Sequence, residues 1–350
     1  MTISLINFSK VESNDDLLKK WDAYIESHPE GSLYHLSKWQ KIIKNQFGHE
    51  SCYFYSENTE GLINGILPVV QLKSMLFGNY MVSVPYFNYG GVLADDNNIA
   101  IELMSQAGKT ASNKSASHVE YRDTQKYKGD WGLREDKVVM LLDLPSEYEQ
   151  LWKDIGTKVR AQVKRPQREP VSIKHGGLEL LDDYYEVFAR NMRDLGTPVY
   201  AKAFFKAILE TFSDNAHIVC VYHNDVPAAA GFLLGYKNRM EIPWASALRE
   251  FNKISVNMLL YWEVLKYTIE QGYAQFDFGR STMNAGTYRF KKQWGAKPKQ
   301  LYWHYWLNDG QDVPKMNPDN PKYKFVISAW QKMPVWLTKI VGPSIVKNLP

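Results

Sequence analysis

The run Gln275 to Gly295, QFDFGRSTMNAGTYRFKKQWG, concentrates residue types able to polarise a carbonyl or hold an anion. It reads as an apolar-alternating strand to Phe278, a break at Gly279, and a polar loop carrying Arg280, Ser281, Thr282 and Asn284. A short helix then starts at Gly286 and Thr287. Phe290 and Trp294 are four apart in it and share a buried face, while Tyr288 and Lys291, three apart, lie on another. A strand that ends in a charged loop and leads into a helix presenting Lys and Tyr displays reactive groups at a sheet edge. Lys291, Tyr288 and Arg280 are therefore the candidate catalytic residues. Periodicity fits a basic solvated helix with a capping loop equally well. Asp277 and Arg280 read as a local ion pair that steadies the helix, a structural role before a chemical one.

Four other groups are candidates for binding substrate. The densest charge run is Lys158, Arg160, Lys164, Arg165, Arg168 and Lys174, opposed only by Glu169. Arg160 and Lys164 share a helical face and, with Arg165, could clamp a diphosphate; a solvated face is the other reading. Asn191, Arg193, Asp194, Thr197 and Tyr200 form a polar cluster around Gly196, from which Arg193 and Thr197 are taken as ligands. Glu241 and Trp244 fall in a central strand, where a carboxylate needs a partner or a task. Tyr86, Asn88 and Tyr89 belong to the uncharged run MVSVPYFNYGGVL, which reads either as a substrate-facing loop or as a packed turn.

Much chemistry is excluded. No His, Cys and carboxylate cluster has metal spacing, and no P-loop or G-x-S-x-G elbow is present, so no metal is expected. Cys52 and Cys220 sit apart in apolar runs and read as buried thiols. A net charge of +4 permits an anionic substrate without demanding nucleic acid, and DNA is not an expected partner. The N-terminus lacks the basic and apolar regions of a signal peptide, and no apolar run approaches the ~20 residues of a membrane span. The expected location is cytoplasmic, with the inner face of the membrane as an extension.

The 350 residues suit two domains. The first half reads as helices, strands, helix, strand. The second reads as strand, two helices, three antiparallel strands (His217 to Tyr222, Pro227 to Leu234, Arg239 to Ala247), helix Ser255 to Gln271, strand, the Lys291 helix and a last strand, Gln300 to Leu307. That succession is the order of the N-acetyltransferase (GNAT) fold, and the first half fits a degenerate copy of it. The fold class is α/β (α+β), two tandem GNAT-like domains with mixed, largely antiparallel sheets. The expected boundaries are 1–135, 136–310 with the main site, and a tail, 311–350. The amphipathic tail is expected to pack on the first domain, with a membrane surface as its alternative. An acetyl-CoA enzyme of this fold needs a glycine-bearing phosphate cradle before the long helix. The segment Ala247 to Ser255 contains no glycine, which argues against ordinary CoA binding.

These words together resemble the FemAB-like aminoacyl/acyltransferases, in particular the branch associated with exopolysaccharide and PEP-CTERM (XrtA) systems. The resemblance rests on VRAQVKRPQRE (159–169), NMRDLGTPV (191–199), FDFGRSTMNAGTYRFKKQWG (276–295), VPYFNYGGVLAD (84–95) and the KMPVWL and VGPSIVKNLP words of the tail. It implies two tandem GNAT-like domains with a cleft between them, and amide formation on an amine of a cell-envelope or exopolysaccharide precursor. It also implies that Lys291 steadies the developing oxyanion, where spacing alone barely separates Lys291 from Lys292. The acyl donor, aminoacyl-tRNA or acyl-CoA, stays open, and no tightly bound cofactor is expected. The expected partners are a glycan or a nucleotide- or lipid-linked precursor. A CoA-dependent N-acyltransferase of an amino sugar and a non-catalytic glycan- or nucleotide-binding module are the competing readings. On this reading Lys291→Met lowers kcat on the order of 10²–10³ and leaves the melt unchanged.

Overall fold

The computed structural model describes residues 2–6, 15–314 and 321–349. Apolar alternation and helical spacing give, in chain order, β1 (Thr2–Ile6), α1 (Asp15–Ser27), α2 (Trp39–Phe47), β2 (Glu50–Glu57), β3 (Ile63–Ser74), β4 (Gly78–Val82), β5 (Leu93–Ala94), α3 (Asn97–Asn113), β6 (His118–Asp123) and β7 (Gly132–Arg134). There follow β8 (Lys137–Asp143), α4 (Tyr148–Asp154), α5 (Thr157–Lys164), β9 (Val171–Gly176), α6 (Leu181–Leu195), α7 (Lys202–Thr211), β10 (Ala216–His223), β11 (Val226–Tyr236) and β12 (Arg239–Ala247). The chain closes with α8 (Val256–Glu270), β13 (Gln275–Thr282), α9 (Gly286–Lys292), β14 (Lys297–Gln300), β15 (Tyr302–Leu307), α10 (Pro321–Gln331) and α11 (Val335–Val346). Two compact units result, residues 1–137 with 300–315 and 348–350, and residues 138–299 with 316–347.

The first unit holds the sheet β1-β2-β3-β4-β6-β15-β7, with β5 beside β3. The second holds β14-β8-β13-β12-β11-β10-β9. Both follow one plan: three antiparallel strands, a helix, then a strand parallel to the third. In the first unit the parallel pair is β4 with β6, in the second β12 with β13.

Two boundary expectations are corrected. The strand expected to end the second domain is β15, and it pairs with β6 and β7 of the first sheet. Its side chains fix it there. The Tyr127 N–H donates to His304 Nε2 (3.2 Å), so Nδ1 carries the ring proton and donates to Asp123 (2.7 Å). Tyr305 donates to Glu120 (2.6 Å), which also accepts from Arg122 (2.7 Å). All of these groups are buried, so this polar network is satisfied only with β15 in the first sheet.

The tail helices α10 and α11 pack on α6, in the second unit, where packing on the first was expected. The reason is local geometry. Arg193 donates to the Met333 carbonyl (2.9 Å), Gln331 donates to that of Asp194 (3.0 Å), and Lys339 pairs with Glu186. Gly342 lies so close to Val199 that a Cβ would come within 2.8 Å of its backbone nitrogen. Residues 315–320 of the tail lie outside the described residues.

The helix ends are written in the sequence. α6 begins with Asp182 and Asp183, which suit the positive end of the helix, and closes on Gly196 at φ +77°. The Gly196 N–H donates to Arg193 and that of Thr197 to Met192, the paired bonds of a glycine-terminated helix.

Candidate active site

The second unit's parallel pair sets the geometry. Only Arg239–Glu241 of β12 pair with Gln275–Asp277 of β13, although β12 runs on to Ala247 and β13 to Thr282. The last register pair is Glu241 opposite Asp277, so two carboxylates stand side by side, 4% and 0% exposed. On the other side of β12 the register with β11 shifts between Phe232, opposite Trp244, and Leu234, opposite Glu241. That bulge puts Glu241 and Trp244 on one face despite their odd spacing. Pro243 inside the strand is the sequence signal that could have announced it.

Two adjacent buried carboxylates call for a cation, and Lys291 supplies it. Its side chain is buried, and Nζ donates to the carbonyls of Gly279 (3.0 Å) and Arg280 (2.8 Å). Consecutive carbonyls in a regular strand point in opposite directions; at Gly279 the backbone takes φ +75°, which lets both converge on one ammonium. The Gly279 N–H donates to Asp277 (2.7 Å) and ties the bend to the carboxylate. Burial lowers the Lys291 pKa to about 8, against the opposing pull of Asp277 and Glu241, and nearby Arg280 lowers it further. The group is an ammonium at neutral pH but releases its proton readily. Two of its three N–H donors are spent on these carbonyls, and one remains.

The other face neighbours of Glu241 are aromatic and polar. Trp244 stands edge-on to Phe205 (5.1 Å), Phe232 (5.6 Å) and Tyr200 (6.1 Å), and is half-buried. Asn191 of α6 donates to Ser246 (3.1 Å). Asn191, Tyr200, Trp244, Glu241, Asp277 and Lys291 thus belong to one neighbourhood. Asp277, Ser246 and Gly279 were not among the expected site residues. Asp277 alternates with Phe276 and Phe278, which only the parallel register turns into a carboxylate pair.

Several expectations are corrected. Tyr288 does not face open space: it enters the hydrophobic cluster with Trp294 and Phe278, while Phe290 is half-buried against Tyr261 (4.9 Å). Lys292 is exposed, so the structure separates the two lysines. Arg160 is engaged within the chain, where the expectation was an anion clamp. One guanidinium nitrogen lies within 3.0 Å of the carbonyls of Trp152, Lys153 and Ile155 and closes the C-terminus of α4. Lys164 lies over the Trp152 ring (5.7 Å) and Arg165 is exposed. This basic run sits with α5, whose Val159 and Val163 pack with Phe276 and Phe278, on the sheet face opposite Asp277. Arg193 is committed to Asp194 (2.6 Å) and to the tail, and Thr197 completes the cap of α6.

The aromatic run of the first unit is a packed turn. Tyr86 lies against Phe47 (4.4 Å) and Tyr89 edge-on to Tyr34 (6.0 Å), both buried, with Asn88 half-buried between them. Arg122 donates to the Phe87 carbonyl (2.6 Å), and the Gly90 N–H donates to that of Arg122. A Cβ on Gly91 would overlap Asp123. These contacts account for the glycine pair. Among the described residues no group of three or more His, Cys, Asp or Glu could hold a metal ion.

With this geometry in view, the relatives can be placed. Residues 157–292 match the family described as an acetyltransferase (GNAT) domain. No curated protein matches the sequence. The whole chain is similar in fold to FemX, at 14% identity and a TM-score of 0.65, over 93% of this chain and 100% of that one. It is similar to the C-terminal domain of a putative lysylphosphatidylglycerol synthetase from Agrobacterium fabrum (11%, TM-score 0.56, 83% and 92%). It is also similar to a tandem GNAT protein from the clavulanic acid biosynthesis pathway (10%, TM-score 0.53, 89% and 100%). The fold is two tandem GNAT-like domains with mixed sheets, as the order of elements implied.

Proposed function

We propose that the protein is an acyl- or aminoacyltransferase that forms an amide on an amine carried by a glycan, nucleotide- or lipid-linked precursor of the envelope or of an exopolysaccharide. The observation that carries this reading is the buried Lys291 ammonium, held by two carbonyls beside Glu241 and Asp277, inside the segment that matches the acetyltransferase domain. In the reaction the acceptor nitrogen attacks the acyl carbonyl carbon, and the carbonyl electrons move onto oxygen. The remaining Lys291 N–H meets that oxyanion in a site largely screened from water, where one such donor is worth about 3–4 kcal/mol. Collapse expels the donor's alkoxide or thiolate, and the proton lost by the nitrogen ends on that leaving oxygen or sulfur, so the products are the amide and the free hydroxyl or thiol.

For the donor, the structure gives a reason to disfavour ordinary CoA binding, which keeps aminoacyl-tRNA as a candidate. The segment before α8 has no glycine, and its N–H groups turn inward: Phe251 donates to Leu248 and Ser255 to Asn252 in a 3-10 turn over Arg249–Ile254. A CoA-dependent N-acyltransferase is the second reading, favoured by the match to an acetyltransferase domain. No described helix is long and apolar enough to cross a membrane, and the proposed place of action is the cytoplasmic side. The test is transfer of labelled acyl groups from acyl-CoA and from aminoacyl-tRNA to a panel of amine acceptors, phospholipid amines and amino sugars included. Transfer from neither donor, with glycan or nucleotide binding intact, would sink the enzyme reading in favour of a binding module.

A further inference from the structure

The β3–β4 hairpin of the first unit ends in Met75, Leu76 and Phe77, three consecutive large apolar side chains that are 106%, 85% and 38% exposed. The turn is ordered: Ser74 Oγ accepts the Phe77 N–H (2.9 Å), and Gly78 takes φ +82° to start β4. A run of this kind on a convex tip has no fold-stabilising role, and its exposure to water is unfavourable. Behind it, at the same end of the sheet, lies a polar cavity of about 400 Å³ lined by Gly48, His49, Glu50, Gln71, Lys73 and Lys114. Lys73 is two residues from Met75, roughly 7 Å along the strand. It is exposed and makes no ion pair among the described residues, whereas Lys114 is paired with Glu50 (3.0 Å). Lys44, in the last turn of α2, adds a further cation at this end.

We infer that this hairpin is a membrane wedge: Met75, Leu76 and Phe77 enter the acyl boundary of an anionic bilayer, and Lys73, Lys44 and the polar cavity behind them meet its phosphate headgroups. Two features select a bilayer over a protein groove. The apolar part is the exposed tip of a two-stranded hairpin, and Lys73 lies roughly 7 Å back along the strand, within the ~5–10 Å to which an apolar face sinks into the headgroup boundary. The excess of cations over the single acid, Glu50, complements anionic lipid. None of these residues belongs to the candidate active site, so the inference stands whether or not the transferase reading does.

The experiment is vesicle co-sedimentation of the full chain, without turnover, using phosphatidylcholine vesicles with and without phosphatidylglycerol. The protein is expected to partition onto the phosphatidylglycerol vesicles. Combined Met75→Ser, Leu76→Ser and Phe77→Ser lowers the partition on the order of 10²-fold. Lys73→Glu lowers it about tenfold, less at high salt. Trp336→Ser with Ile340→Ser, on the exposed face of α11, leaves it unchanged. A second readout uses Leu76→Cys carrying a polarity-sensitive dye, since Cys52 and Cys220 are buried; its emission shifts to the blue on the same vesicles. The inference is overturned by no partition of the wild type, by an unchanged triple variant, by equal partition onto pure phosphatidylcholine, or by loss only in the α11 variant.

Discussion

Replacing Lys291 by Met tests the active-site reading from two directions, because the structure makes opposed demands on that side chain. In the folded chain burial pulls the amine from its ordinary 10.5 to about 8. That difference of about 2.5 pH units costs the folded ammonium roughly 3 kcal/mol at neutral pH, and Met removes the cost. Met also removes the charge-assisted hydrogen bonds to Gly279 and Arg280, worth about 1.5 kcal/mol each at the lower end of the range for an ionised donor. The two effects nearly cancel, so at pH 7 the variant should melt within ~5 °C of wild type. A melt close to wild type is therefore expected at neutral pH because two opposed effects of a buried lysine offset each other.

The cancellation ends at high pH. A lysine whose folded pKa is depressed leaves the unfolded chain holding more protons between about 8 and 10.5, so wild-type stability rises with pH across that window. The Met variant lacks this rise, and the gap should open to about 3 kcal/mol above pH 10.5. Denaturation at pH 7 and at alkaline pH checks it. In the transfer assay Lys291→Met should lower kcat by about 10²–10³, while Lys292→Met, at an exposed position, changes little. Wild-type kcat should fall as pH rises through about 8, because the ammonium is the donor to the oxyanion. A kcat within a few-fold of wild type in Lys291→Met, or a fall in rate above pH 8 that persists unchanged in that variant, would refute the reasoning.

Three further substitutions probe the frame. Arg160→Ala should lower stability by about 1–3 kcal/mol by uncapping α4, with KM for an anionic substrate unchanged; a tenfold rise in KM at unchanged stability would restore the clamp. Gly279→Ala forces a Cβ into the left-handed region, costing about 1–2 kcal/mol, and should lower kcat along with the melting temperature, because the two carbonyls lose their common aim; an unaltered rate would separate the bend from catalysis. His304→Ala leaves Asp123, whose pKa burial already raises, with the Val92 N–H but without the imidazole that donates to it, and the Tyr127 N–H without an acceptor. Calorimetry should show a loss of about 3–5 kcal/mol, with kcat at low temperature unaffected.

What could be read from the sequence was what local chemistry decides. Gly196 announced the end of α6, and the alternation of three strands followed by a long helix announced the fold, because caps and periodicities act within a few residues. The site was legible only in outline. Lys291 and Lys292 differ by about 100° around a helix, and that difference acquires meaning only when α9 docks on β13. Arg160 looked like an anion ligand because charge spacing says nothing of the carbonyls that end α4, five residues upstream at Ile155. Chain order alone places the strand Tyr302–Leu307 in the second sheet, whereas its partners, Glu120 and Asp123, are some 180 residues away in the first.

The repeated plan sets the corresponding positions of the two units side by side. At the parallel pair of the first unit, Val82 stands opposite Glu120 where the second unit has Glu241 opposite Asp277. Glu120 is answered twice, by Arg122 and by the Tyr305 hydroxyl, and these bonds hold its carboxyl below the usual range despite its burial. Arg122 in turn is spent on the Phe87 carbonyl and lies 4.7 Å from the Trp303 ring. Strand β15 seals that edge, and the polar groups there rigidify the unit. In the second unit the equivalent position carries two acids beside one lysine whose proton is held loosely and whose third N–H is uncommitted. The same backbone device thus holds a closed clasp in one unit and a buried lysine beside two carboxylates in the other, and on the proposed reading that lysine is what makes the second unit a site for developing negative charge.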